Sequence, residues 1–465
     1  MSRSAPPDSR RRFLRQAGVA ALGLSPLGSL LASAALPRSA DAGFAAGYGR
    51  LRPVRDLTTG LPLLHLPEGF SYRSFGWAGD PLADGTPCPG RHDGMGIVRA
   101  AGDRITLVRN HELSRLDGAF GPSNSHYDPV CSGGTVTLDY DVGAGRLLQA
   151  RASLSGTMTN CAGGVTPWGS WLSCEEFVSR AGMSGKVDGI VRQMGQDHGF
   201  VFEVPAEGES DARPLRAMGQ FRHEAAAVHA PSGDFYLTED TTPAGFYRFV
   251  PATRGRLADG GRLQMLRAVG APDLRGGVAP GARFAVEWVD IEHPDRGFDA
   301  DSGSILGVQQ QGLAAGASRF SRLEGCIATD DEVFFVSTDG GAAACGQVFA
   351  YRPREQELSL VYESPDPAQL DYPDNVVVSP RGGLLLCQDS KLPRQHLYGL
   401  SREGALFAFA RQAVVLDGVR GFSGDFRSAE WAGACFSPDG RWLFANVYAP
   451  GFSVAITGPW RDGLV

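Results

Sequence analysis

His223-Glu224-Ala225-Ala226-Ala227-Val228 runs into Pro231-Ser232-Gly233 and then into Phe235-Tyr236-Leu237-Thr238-Glu239-Asp240. An acidic residue opens a short strand of small and branched residues, a turn follows, and a second apolar strand ends in acid. Short apolar runs bounded by Pro and Gly predict a β-hairpin. Five other stretches repeat this grammar. One runs from His92-Asp93-Gly94-Met95-Gly96 to Asn110-His111-Glu112, and another from Asn160-Cys161-Ala162-Gly163-Gly164 to Cys174-Glu175-Glu176. The rest run from Leu323-Glu324-Gly325-Cys326 to Asp339, from Asp374-Asn375-Val376 to Asp389, and from Glu430-Trp431-Ala432-Gly433 to Asn446.

The opening residues are therefore Asp93, Cys161, Glu224, Glu324, Asp374 and Glu430, separated by 68, 63, 100, 50 and 56 residues. A propeller blade takes about 40–50 residues. The spacing predicts an all-β, six-bladed β-propeller with loop insertions, whose inner strands crowd a central channel. The long third interval predicts an insertion around residues 252–318, where hairpin grammar weakens. Six mostly acidic openers at one channel mouth repel one another, and cations are what make such convergence tolerable.

Composition agrees. Gly and Pro supply 62 and 30 of 465 residues, which favours many turns over long helices. The net charge of −7 argues against a nucleic-acid partner and suits cations. The eight cysteines are scattered without a Cys-x-x-Cys pair, so neither a zinc ribbon nor a thioredoxin-type site is expected.

Ser9-Arg10-Arg11-Arg12-Phe13-Leu14 precedes a Gly-interrupted apolar stretch and Ala32-Ser33-Ala34. This is the pattern of a twin-arginine export signal. It predicts a signal peptide over 1–34, a linker over 35–59 and one propeller domain over 60–465. The Tat translocase is then the export partner and the periplasm or exterior the destination. The apolar stretch is too short and Gly-broken for a stable membrane anchor. A monomer is expected.

At several segments the chain resembles the PhoX family of secreted alkaline phosphatases. They include His92-Asp93-Gly94-Met95-Gly96, Arg109-Asn110-His111-Glu112, Asn160-Cys161-Ala162-Gly163-Gly164-Val165-Thr166-Pro167-Trp168-Gly169, Cys174-Glu175-Glu176, Phe221-Arg222-His223-Glu224-Ala225, Pro373-Asp374-Asn375 and Phe436-Ser437-Pro438-Asp439-Gly440. The resemblance spans roughly residues 60–460. It implies an alkaline phosphomonoesterase acting on small phosphate esters with iron (Fe3+) and calcium at the channel mouth. By position, Cys161 resembles the iron thiolate, with Cys174 the weaker candidate. Glu176, Glu224, Asp374 and Glu430 resemble metal ligands, with Asp93, Glu112, Glu175, Glu239, Asp240 and Asp389 behind them. Arg322 and Glu324 resemble a phosphate clamp and a further ligand, the catalytic pair. The donor types fit mixed metals: carboxylates suit calcium and ferric iron, and a thiolate suits iron.

The chain departs from the family pattern in three places. Gly325 stands where an Asp is expected, Asn446-Val447-Tyr448-Ala449-Pro450-Gly451 lacks Gln-His before Pro-Gly, and the chain is shorter than many members. Two other functions use a similar frame. One is a calcium-dependent propeller lactonase or organophosphate hydrolase, which needs no thiolate. The other is a non-catalytic calcium-binding propeller protein, to which Gly325 would point.

Overall fold

The structure is a computed structural model and describes residues 47–465. The expected signal peptide lies outside the described residues. The fold is all-β, with one short α-helix, Gly307–Ala314, among the described residues. No helix among them is long and apolar enough to cross a membrane.

Each repeated hairpin contributes an inner strand: His92–Ala101, Asn160–Val165, His223–His229, Leu323–Ala328, Pro373–Val378 and Trp431–Phe436, with the opener inside the strand in the first five and just before it in the sixth. Each inner strand lies against the next and the sixth returns to the first, so six strands close a ring. Each also pairs antiparallel with the second strand of its hairpin. The arrangement is propeller-like.

The ring is tight because its residues are small. A Cβ on Gly164 would stand 1.6 Å from the Ala226 carbonyl oxygen of the next strand, and one on Gly96 would stand 2.5 Å from a Val165 methyl. Beyond the openers the channel encloses about 310 Å³ and is lined by apolar and small residues such as Gly96, Ala227, Ala328 and Val378.

The sheets outside the ring do not divide into six. Four stand as separate blades, while the third and fourth units merge into one nine-stranded sheet. The merger comes from Arg283–Asp290 pairing with Glu357–Glu363. Two chain-distant closures complete the shell. Ser71–Phe75 pairs with Phe452–Thr457 in the last unit. Leu64–Leu66 pairs with Leu406–Gln412 and carries Arg52–Val54 on its outer edge. The stretch expected as a linker up to residue 59 is thus already part of a sheet at Arg52.

Residues 252–318, expected as an insertion, are partly regular. Gly261–Ala268 is a fourth strand of the third unit, and Arg283–Asp290 bridges to the fourth. The remainder carries the helix, which docks through buried Gln309. Its Nε2 donates to the Thr241 hydroxyl at 2.9 Å and to Glu239 at 3.2 Å. Two further hairpins, Ser184–Val187 with Ile190–Gln193 and Val415–Val419 with Phe422–Asp425, extend from the fold outside the repeated grammar, the first turning on Asp188-Gly189 with both residues at positive φ.

Candidate metal centre

In all six units the register of the inner hairpin slips at its opening end: a β-bulge follows His92, Asn160, His223, Leu323, Pro373 and, one residue later, Ala432. A bulge leaves residues unpaired and re-aims their side chains. In the first five units the bulge begins at Asp93, Cys161, Glu224, Glu324 and Asp374. These form the floor of the mouth. Asp93, Cys161, Glu224 and Glu324 are buried, and Asp374 is partly so.

A second set of six is fixed by one recurring backbone hydrogen bond. The carbonyl just before each inner strand accepts from the residue just past its partner strand. The donor pairs are Glu112 to Arg91 at 3.0 Å, Glu176 to Thr159 at 2.9 Å and Asp240 to Arg222 at 3.2 Å. Thr338 to Arg322 at 3.0 Å, Asp389 to Tyr372 at 3.0 Å and Tyr448 to Glu430 at 3.2 Å complete the set. The rim of the mouth is therefore Glu112, Glu176, Asp240, Thr338, Asp389 and Tyr448, facing Arg91, Thr159, Arg222, Arg322, Tyr372 and Glu430.

This register corrects the opener at the sixth unit. Its floor position is Ala432, and Glu430 belongs with the residues that precede the strands. Glu430 still senses the other acids, because burial and then Asp93 and Asp389 push its carboxyl well above the usual range. The strand-end residues of units four and six are likewise Thr338 and Tyr448, not Asp339 and Asn446.

Neighbours on one strand point to opposite faces, which removes two expected ligands. Glu175 pairs across from Asn160 and turns away from the mouth. Its oxygens accept from the amides of Met158 at 2.9 Å, Gly199 at 2.8 Å and Phe200 at 3.1 Å, and from His198 Nδ1 at 2.7 Å. Burial lowers His198, but Glu175 and the Asp128 and Cys131 contacts override that and push it up to about 12. Glu239 is spent on Gly245, Tyr247 and Gln309, and burial raises it to about 7. The histidines beside the floor are also structural. His92, His111 and His223 each use a ring nitrogen on a backbone carbonyl, of Pro89, Gly90 and Gly219.

Two groups at the mouth place ligand atoms within 4.8 Å of one another: Cys161 with Glu176 and Glu224, and Glu224 with Glu324 and Asp374. Glu224 belongs to both. The first offers a thiol with two carboxylates, a donor set for iron. The second offers only carboxylates, a donor set for calcium. The residues therefore fit the metals that the family resemblance implies. Cys174 joins neither group and lies in the core between the second and third units. Burial, then Glu224, pushes the Cys161 thiol well up, so without a cation it stays protonated, with its sulfur 3.1 Å from the His223 carbonyl oxygen.

The carboxylates are held under repulsion. At 4.8 Å and an effective dielectric of about 20, two ionised carboxylates repel by about 3.5 kcal/mol. Burial and then neighbouring acids push Asp93, Glu224 and Glu324 well above the carboxylate range, and Asp374 up to about 8. Two arginines offset part of this. Arg222 pairs with Glu176. Arg322 forks onto Asp240 at 2.9 and 3.0 Å and reaches Glu324 at 2.8 Å. The expected phosphate clamp is thus already bound to two acids.

Gly325, the departure read as a lost ligand, has another cause. A Cβ there would stand 2.6 Å from the Val376 nitrogen and 2.7 Å from the Asn375 Cα of the next inner strand. Position 325 faces backbone, not the mouth, and no aspartate fits it.

So many acids about one axis, with only two paired arginines among them, call for cations, and the chain falls in the class of metal-dependent hydrolases on a propeller-like frame. The model of the alkaline phosphatase PhoX family matches residues 46–139 and 142–451. The chain belongs to the PhoX alkaline phosphatase family, whose reaction is the hydrolysis of phosphate esters. Pseudomonas fluorescens PhoX, solved in complex with vanadate, a transition state analogue, is similar in fold at a TM-score of 0.62. Its identity is 18%, over 88% of this chain and 98% of that one. A gluconolactonase from Xanthomonas campestris gives a TM-score of 0.35 and 14% identity, over 83% of this chain and 100% of that one. No curated protein matches the sequence.

Proposed function

We propose that this chain is an alkaline phosphomonoesterase of small phosphate esters that holds iron and calcium at the mouth of a six-bladed propeller. The observation that carries the reading is the pair of ligand groups sharing Glu224, one with the Cys161 thiol and one all-carboxylate. A calcium-only lactonase has no use for a buried thiol in its donor set.

Six blades are supported by the six inner strands and the six equivalent strand-end hydrogen bonds. On this count the nine-stranded sheet is two blades joined at their outer edges by the pairing of residues 283–285 with 357–359.

Cys161, Glu176 and Glu224 would hold iron, and Glu224, Glu324 and Asp374 calcium, with Asp93, Glu112, Asp240, Asp389 and Glu430 around them. Bound cations supply charge neutralisation at the phosphoryl oxygens and activate a water or oxide for attack. The chain's own contribution is placement. The bulges present the floor groups, and the rim hydrogen bonds fix the second strand ends. Arg322, loosened from Asp240 and Glu324 once cations neutralise them, would offer a guanidinium fork to the phosphoryl group. The net charge of −7 and the acidic mouth argue against a nucleic-acid partner. Tat export and a periplasmic or secreted location belong to the same proposal and rest on Arg10-Arg11-Arg12-Phe13-Leu14.

The test is hydrolysis of p-nitrophenyl phosphate by protein reconstituted with ferric iron and calcium, beside hydrolysis of a lactone. Phosphatase activity needing both metals is expected. Lactone hydrolysis with calcium alone would overturn the proposal.

A further inference from the structure

Arg91, Arg222 and Arg322 occupy the same position in three of the six units, each just before its inner strand. Each reaches the rim residue of the preceding unit. Arg222 meets Glu176, and Arg322 meets Asp240. Arg91 meets Tyr448 instead, with its guanidinium carbon 5.0 Å from the ring centroid. The Tyr448 hydroxyl in turn donates to Glu112. Two of the three equivalent arginines are therefore ion-paired with carboxylates, whereas Arg91 acts on Glu112 only as a nearby charge, without a direct contact. Among the described residues Arg91 makes no ion pair, and it is exposed. Its backbone is left-handed at φ 55°, as that of Arg322 is at φ 39°. Non-glycine residues are held in that region at a cost of about 1 kcal/mol or more, often at functional sites.

Both ligand groups draw on units two to five. Arg91 stands across the mouth, between units six and one. A tyrosine face covers one face of a guanidinium and leaves its N–H edges open. Such an edge pairs with a carboxylate or a second phosphate.

We propose that Arg91 is a specificity-determining residue that receives a second anionic group on the leaving-group side of the phosphate ester. This rests on the phosphatase reading above. With the phosphoryl group over the ligand groups, the organic part extends toward Arg91, and an ester bearing a carboxylate gains a charge pair that a neutral ester lacks.

The test compares two esters of one skeleton, 3-phosphoglycerate and glycerol 3-phosphate, in parent enzyme, Arg91→Gln and Arg91→Lys. Iron and calcium contents are measured alongside. The parent is expected to favour 3-phosphoglycerate in KM by about fivefold, the scale of a good exposed charge pair. Arg91→Gln should erase that ratio with metal content retained, Arg91→Lys should keep part of it, and 0.5 M NaCl should shrink it in the parent. An active parent whose ratio is the same in Arg91→Gln would overturn the role of Arg91 alone, as would an equal loss on both esters. A parent reconstituted with both metals that hydrolyses neither ester would overturn this proposal and the phosphatase reading together.

Discussion

Glu224→Gln separates a metal centre from a merely acidic surface, because its effect on stability should change sign with the metal. Glu224 lies within 4.8 Å of Glu176 and Cys161 in one group and of Glu324 and Asp374 in the other. In metal-free protein each ionised contact costs about 3.5 kcal/mol at an effective dielectric of about 20. These carboxyls have folded pKa values above the unfolded ones of about 4. The unfolded chain therefore releases its protons first, and metal-free stability falls as pH rises from about 4 through the folded values, which for Asp374 is about 8. Replacing Glu224 by its neutral isostere relieves about one such contact at pH 9 and none at pH 4. An unfolding entropy near 2.1 cal/mol/K per residue makes 1 kcal/mol worth about 1 °C in a chain of this size. Chelated Glu224→Gln should thus melt about 3 °C above the chelated parent at pH 9 and level with it at pH 4. Loaded with iron and calcium it should melt below the parent and bind less of both metals. The assay is a thermal melt followed by fluorescence, with and without exhaustive chelation. A chelated variant melting at or below the chelated parent at pH 9 would refute the reasoning.

Three further outcomes follow from particular residues. Cys161→Ser should lose iron and lower activity at least 100-fold, whereas Cys326→Ser, whose thiol joins no ligand group, should keep its iron in elemental analysis. Arg322→Ala should lower kcat/KM for p-nitrophenyl phosphate about 100-fold with iron and calcium near the parent level, and Arg322→Lys should recover less than a tenth of the loss, since an ammonium lacks the fork; metal loss in Arg322→Ala would make that residue structural. Gly325→Asp should bind no additional calcium and should lower the melting temperature by about 1–3 °C, because overpacking against backbone costs about 1–3 kcal/mol; a gain of calcium would restore the reading of position 325 as a lost ligand.

Most of the frame was legible from composition and punctuation. Small residues, Gly/Pro turns and recurring acids mark the inner hairpins, and each marked stretch is an inner strand. What escaped was register. The slip after Ala432 falls one residue later than in the other units, so Glu430 looks like an opener although it precedes the strand. Thr338 and Tyr448 escaped because neither is acidic, and only the recurring hydrogen bond to the preceding carbonyl identifies their position. Glu175 and Glu239 are ligand candidates by family resemblance alone, each beside a residue of the rim, Glu176 or Asp240. Strand alternation turns them to the opposite face, where amides and a histidine hold Glu175 and the docked helix helps hold Glu239. Gly325 misled in the opposite way. Resemblance marked a missing side chain, whereas the packing of adjacent inner strands requires its absence. The joining of the third and fourth units was invisible because edge pairing between residues 283–285 and 357–359 has no local signature.

The most direct measurement is elemental analysis of the protein exported through its own signal and purified without added metal. The account predicts iron and calcium together, with iron lost from Cys161→Ser and both lost from Glu224→Gln. Calcium without iron in the parent protein would contradict it.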